Sequence, residues 1–117
     1  MLLLYANETA GEAVSPDDMS MWMKKMGEYG EALKKANAFV ATAGLGRSKQ
    51  ARTIHANKDE LQIHNGPYAD TQEQLGGYYL IDVPTIEEAV EWAEKCPAAQ
   101  FGTIEVRPIW PTRPEGA

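Results

Sequence analysis

The sequence predicts an α+β domain built as a split βαβ with an inserted β-hairpin. Three observations lead there. Two segments carry helical periodicity behind clear N-terminal caps. Short runs rich in Leu, Ile, Val, Tyr and Thr lie around them. Their order reads β-α-β, hairpin, β-α-β, and two such units make a four-stranded sheet with both helices on one face.

Met1-Leu2-Leu3-Leu4-Tyr5 reads as a strand that starts almost at the first residue. It lacks a basic lead-in and is too short for a signal-peptide core or a membrane span. Ser15 suits an N-cap, Pro16 the first helical position, and Asp17 and Asp18 the positive helix end. Met19, Trp22, Met23, Met26, Tyr29 and Leu33 then recur at helical spacing. Asn37 is the expected stop, because asparagine tolerates the left-handed conformation. Phe39-Val40-Ala41 follows as a short strand closed by Gly44-Leu45-Gly46.

Arg52 to Ala56 and Leu61 to His64 flank a turn at Asn57-Lys58-Asp59-Glu60 and predict the hairpin. Asn65-Gly66-Pro67-Tyr68 is a second turn. Asp70-Thr71-Gln72-Glu73 has the spacing of a capping box and predicts a short helical turn ending at Gly76-Gly77. Tyr78 to Val83 is the next strand. Thr85 and Glu88 cap the second long helix, whose stripe is Ile86, Ala89, Val90, Ala93 and Cys96, and Pro97 ends it. Thr103 to Arg107, running toward Trp110, is the last strand. Residues 1–110 hold every predicted element, and 111–117 are expected to form a loose tail.

The 117 residues fit one domain that can fold without disulfides or metals. The single cysteine allows no intrachain disulfide and points to a reducing compartment, so a cytoplasmic location is expected. A net charge of −6, from 17 acidic against 11 basic residues, argues against nucleic-acid binding. The one basic stretch, Arg47 to Arg52, has no interleaved aromatics and reads as a solvated loop. Leu2-Leu3-Leu4-Tyr5 and Tyr78-Tyr79-Leu80-Ile81 are apolar on both faces, although only one face has helices to cover it. A second copy of the chain is the expected cover, as a twofold homodimer.

Asn65 to Tyr79, the run NGPYADTQEQLGGYY, resembles the signature segment of the YCII-related proteins, in particular their DGPF branch. Glu91-Trp92-Ala93, then Cys96-Pro97-Ala98-Ala99 and Ile104 to Pro108, resemble the same family's helix and closing strand. The resemblance covers nearly the whole chain. It implies a ferredoxin-like fold paired into a dimeric α/β barrel. It also implies either a small-molecule ligand or chemistry of lyase or isomerase type, since enzyme-like relatives rely on a His–Asp pair. The DGPF branch is often encoded beside sigma factors, which adds a third reading, an interaction module linked to transcription regulation. The relatives' histidine stands in the first helix; Met26 and Gly27 lie near that place here. The signature's leading Asp is Asn65 here, an amide that cannot take up a proton. Both departures tilt the expectation toward binding.

The signature turn is the expected site. His64, Asp70 and Glu73 are the candidate acids and bases, although capping explains Asp70 and Glu73 as well. Asn65 and Tyr68 are candidate ligand contacts, with Asn65 otherwise a turn residue accepting a backbone N–H. Gly76 and Gly77 would admit a ligand close to the backbone or simply divide two elements. Arg107 shares a strand face with Glu105, where the two would pair with a dimer mate or line a pocket. If the hairpin turn centres on Lys58-Asp59, His55 lies opposite Gln62 and diagonal to His64, at roughly 7–8 Å between Cα atoms. A metal site would need further ligands, and none is evident from the spacing. Neither a metal nor a cofactor is expected. The methionine cluster of the first helix could wall an apolar cavity, while Glu87, Glu88, Glu91 and Glu94 read as a solvated face and Cys96 as buried and inert.

Overall fold

The computed structural model describes residues 1–110; the predicted tail lies outside them. In chain order the elements are β1 (Leu2–Ala6), α1 (Glu8–Glu12), α2 (Pro16–Lys35), β2 (Phe39–Gly44), β3 (Arg52–Asn57), β4 (Glu60–Asn65), β5 (Gln74–Ile81), α3 (Ile86–Lys95) and β6 (Thr103–Val106). Short 3-10 turns occupy Ser48–Gln50 and Pro97–Gln100. The main sheet has the order β2-β5-β1-β6, with antiparallel neighbours throughout. This is an α+β arrangement in which each βαβ unit encloses a strand of the other, consistent with a ferredoxin-like fold. β3 and β4 form a separate two-stranded ribbon.

The caps act as the sequence indicates. Ser15 accepts from the Asp18 amide at 3.2 Å, and Thr85 from the Glu88 amide at 3.2 Å. Asn37 takes φ 57° just past α2, the left-handed residue that ends it. Leu2, Tyr79 and Val106 stand in register across three strands and pack with Tyr29, Leu33, Ala93 and Cys96. Alternation therefore turns Leu3, Tyr78, Leu80 and Glu105 to the face without helices.

Tyr29 joins the two long helices. Its hydroxyl donates to the Trp92 carbonyl at 2.6 Å, and its ring meets Tyr79 and Trp92 edge-on at 5.2 and 6.1 Å. That carbonyl needs a donor, because the Cys96 amide bonds to Ala93 and Pro97 stops the helix. Burial pushes the Tyr29 phenol and the Cys96 thiol upward in pKa.

Several expectations are corrected. Glu8–Glu12 form a helix that the sequence reading left out, capped by Asn7 accepting from the Ala10 amide at 2.9 Å. The α2 stripe is narrower than its spacing suggests, with Met19 and Met23 exposed and only Tyr29 and Leu33 fully buried. Residues 70–73 form no helical turn, and neither Asp70 nor Glu73 caps one. The chain is drawn into β5 from Gln74 instead, because Gln74 and Leu75 pair with Ala6 and Tyr5. Gly76 and Gly77 thus lie inside a strand rather than between two elements. Gly76 is the extra residue of a bulge, with Leu4 opposite Gly77 and Tyr5 opposite Leu75. A Cβ on Gly77 would stand 2.9 Å from the Ala43 carbonyl oxygen, so close β2–β5 approach requires glycine there.

Candidate ligand-binding site

A cavity of about 690 Å³ opens where the helix-free side of the sheet meets three loops. Tyr5 and Leu75, brought side by side by the Gly76 bulge, form its floor. The segment from Leu45 to Ala51 is one wall, the Pro67-Tyr68-Ala69 turn another, and Thr53 closes the hairpin end.

Each wall is tied down by groups far apart in sequence. Glu8 of α1 accepts from the Ser48 amide at 2.7 Å and its hydroxyl at 2.8 Å. These bonds, the backbone one foremost, hold the Glu8 carboxyl below its usual pKa. Arg47 forms an ion pair with Glu12, and Gln50 turns its side-chain oxygen back to the Arg47 amide. The stretch from Arg47 to Arg52 is largely solvent-exposed, as expected, and these bonds also fix it as a wall. Gly66, at φ 117°, donates to the Ala51 carbonyl and accepts from Thr53 Oγ1 at 2.7 Å, which closes the hairpin base.

Among the candidate residues, Tyr68 and Glu73 line the cavity. Glu73 Oε1 accepts from Thr103 Oγ1 at 2.6 Å. The Tyr68 ring stacks on His55 at 6.4 Å. His64, Asn65, Asp70, Gly76, Gly77 and Arg107 do not line it. His64 places Nε2 3.1 Å from the Pro67 carbonyl oxygen, which braces the turn. Asn65 pairs with Arg52 in the ribbon, and among the described residues its side chain makes no turn-forming bond. Arg107, just past β6, pairs with Glu105 at 3.2 Å and lines a separate cavity of about 370 Å³ beside Met1 and Ile81. His55 does lie opposite Gln62, as the turn centre implied. Among the described residues no three His, Cys, Asp or Glu side chains gather as a metal site would need.

Sequence reasoning missed Tyr5, Leu45, Arg47, Ser48, Gln50, Thr53 and Leu75. No local signal marks them, since the Glu8–Ser48 bond spans 40 positions. The methionine cluster walls a smaller apolar cavity of about 240 Å³, through Met19 and Trp22 with Phe101 rather than through Met23 or Met26.

The model of the YCII-related domain matches residues 1–113. The chain belongs to the YCII-related family. It is also 30% identical over 110 residues to an uncharacterized protein of Rhizobium meliloti (strain 1021), an alignment covering 92% of this chain and 89% of that protein. This YCII-related chain has, among its described residues, no helix long and apolar enough to cross a membrane.

Proposed function

We propose that this YCII-related protein binds a small molecule in the cavity floored by Tyr5 and Leu75. The carrying observation is the cavity itself: its volume falls in the roughly 300–1,000 Å³ of ligand sites, and its surface is mainly apolar although polar residues such as Arg47, Gln50, Thr53 and Glu73 share the lining. Its charges indicate the ligand. Arg47 is neutralised by Glu12, whereas Glu73 keeps one carboxylate oxygen beyond its bond to Thr103. Tyr5 and Tyr68 add two ring faces. That combination favours an apolar or aromatic body bearing an amine over an anion. Titration with phenethylamine and phenylacetate, followed by amide NMR, tests this. Shifts at Tyr5, Thr53, Tyr68 and Leu75 with the amine, abolished by Glu73→Gln, are expected. No shift at these residues with either compound removes the cavity as a ligand site.

In the lyase or isomerase alternative Glu73 is the acid or base, since His64 and Asp70 lie outside the cavity. That reading predicts turnover lost in Glu73→Gln and kept in His64→Ala. The signature run from Asn65 to Tyr79 supports the DGPF branch, and its neighbourhood with sigma factors would suit an interaction module. The buried lone thiol suits a cytoplasmic setting.

The same reading includes a twofold homodimer closed through the helix-free sheet faces, as in a dimeric α/β barrel. Leu3, Tyr78 and Leu80 on a face that no helix covers support it. Sedimentation should give a dimer at micromolar concentration, weakened by Tyr78→Asp or Leu80→Asp; a monomer in the unmodified protein would refute it.

A further inference from the structure

The β3–β4 ribbon is packed with its polarity reversed. Thr53, His55, Gln62 and His64 share one side. The Gly66–Tyr68 turn folds back along that polar side, where Thr53 bonds Gly66, His64 meets the Pro67 carbonyl and His55 stacks on Tyr68, while both histidines and Gln62 stay exposed. The other side pairs Ile54 with Ile63 and Ala56 with Leu61. Its three large side chains are 64%, 70% and 72% exposed at Ile54, Ile63 and Leu61. A monomeric ribbon would be expected to bury the aliphatic side, since two strands alone are marginal in water. The bare stripe amounts to roughly a few hundred Å², the range of the largest apolar patch on a typical monomer, which is often a functional one.

We infer that this stripe is an arm that docks on a second copy of the chain. The inference rests on the dimer proposed above and adds the arm to it. The described residues form a slab of 50 × 48 × 18 Å with a radius of gyration of 16.7 Å. A compact chain of this length would have roughly 13 Å. The slab leaves two apolar surfaces bare, the helix-free sheet face and the ribbon stripe. A twofold partner covers both at once, because each copy gives an arm and receives one. The areas agree: a stable interface takes roughly 800 Å² from each partner, and the stripe supplies a few hundred of it.

The test replaces the stripe while keeping strand propensity, as Ile54→Thr, Leu61→Thr and Ile63→Thr together. Sedimentation should show the dimer dissociation constant raised by roughly 100-fold or more, as expected for removing three buried aliphatics. In parallel, Leu61 is replaced by p-benzoylphenylalanine in an otherwise unchanged chain, mixed with ¹⁵N-labelled protein and irradiated. Adducts joining labelled to unlabelled peptides support the arm, and this readout stands even if the triple variant fails to fold. Adducts confined to one chain, or a dimer indifferent to the triple change, overturn the arm and leave the sheet-face dimer standing. A monomeric unmodified protein overturns both.

Discussion

The hydroxyl of Tyr29 offers a direct measure of what holds the two long helices together. Tyr29→Phe keeps the ring and its edge contacts with Tyr79 and Trp92 while removing the donor to the Trp92 carbonyl. A neutral hydrogen bond contributes about 0.5–1.5 kcal/mol net, and a buried carbonyl left without a partner costs about 1–3 kcal/mol. This carbonyl has no helical substitute, because the Cys96 amide is engaged at Ala93 and residue 97 is proline. Tyr29→Phe should therefore lower the unfolding free energy by roughly 1–3 kcal/mol. Tyr29→Ala should cost about 3–5 kcal/mol for the lost ring volume, and more as the aromatic pairs disappear. Urea denaturation at one fixed protein concentration measures both, with unchanged slopes required for the comparison. If the Phe variant matches the unmodified protein, the carbonyl finds another donor and the coupling of α2 to α3 rests on packing alone.

Glu8 carries a pH dependence. Its folded pKa lies below the ordinary 4.5, so its contribution is complete above that value and fades as pH falls through the lowered one. The Ser48 amide resonance should titrate in that acidic window, and Glu8→Gln should flatten the curve; an unmoving resonance in the unmodified protein would break the argument. Gly77→Ala should cost about 1–3 kcal/mol by forcing β2 from β5. Gly76→Ala, whose added carbon comes no nearer than 4.0 Å to the Leu4 carbonyl oxygen, should be much milder in thermal denaturation. Asn65→Asp places a carboxylate opposite Arg52 outside the cavity. It should change stability by less than about 0.5 kcal/mol and leave ligand titrations unchanged, whereas turnover gained in this variant would restore the signature residue to the chemistry.

The elements were legible where local chemistry decides them. Ser15, Asn37, Thr85 and Pro97 act through neighbours within a few residues, and the long helices begin and end accordingly. Residues 70–73 were misread because their spacing offers a capping box, while pairing of Gln74 and Leu75 with β1, some 70 positions earlier, prevails. The site was half legible for the same reason. Tyr68 and Glu73 lie in a distinctive run, but the wall from Arg47 to Gln50 owes its order to Glu8 and Glu12, acidic residues of a helix too short to announce itself. His64 and Asp70 attracted notice by chemistry, and folding directs them away from the cavity.

The bulge at Gly76 makes this part of the chain tolerant of one particular loss. Gly76 has no partner on β1, so its deletion would leave Leu75 opposite Tyr5 and Gln74 opposite Ala6 as ordinary neighbours, on the faces they occupy now. The cavity would keep its aliphatic floor, and the Glu8 amide would keep the Gln74 oxygen it now meets at 3.0 Å. Deleting Leu75 instead would bring Gly76 opposite Tyr5 and remove that floor. A relative one residue shorter here can therefore enclose the same space only if the residue it lacks is the unpaired one.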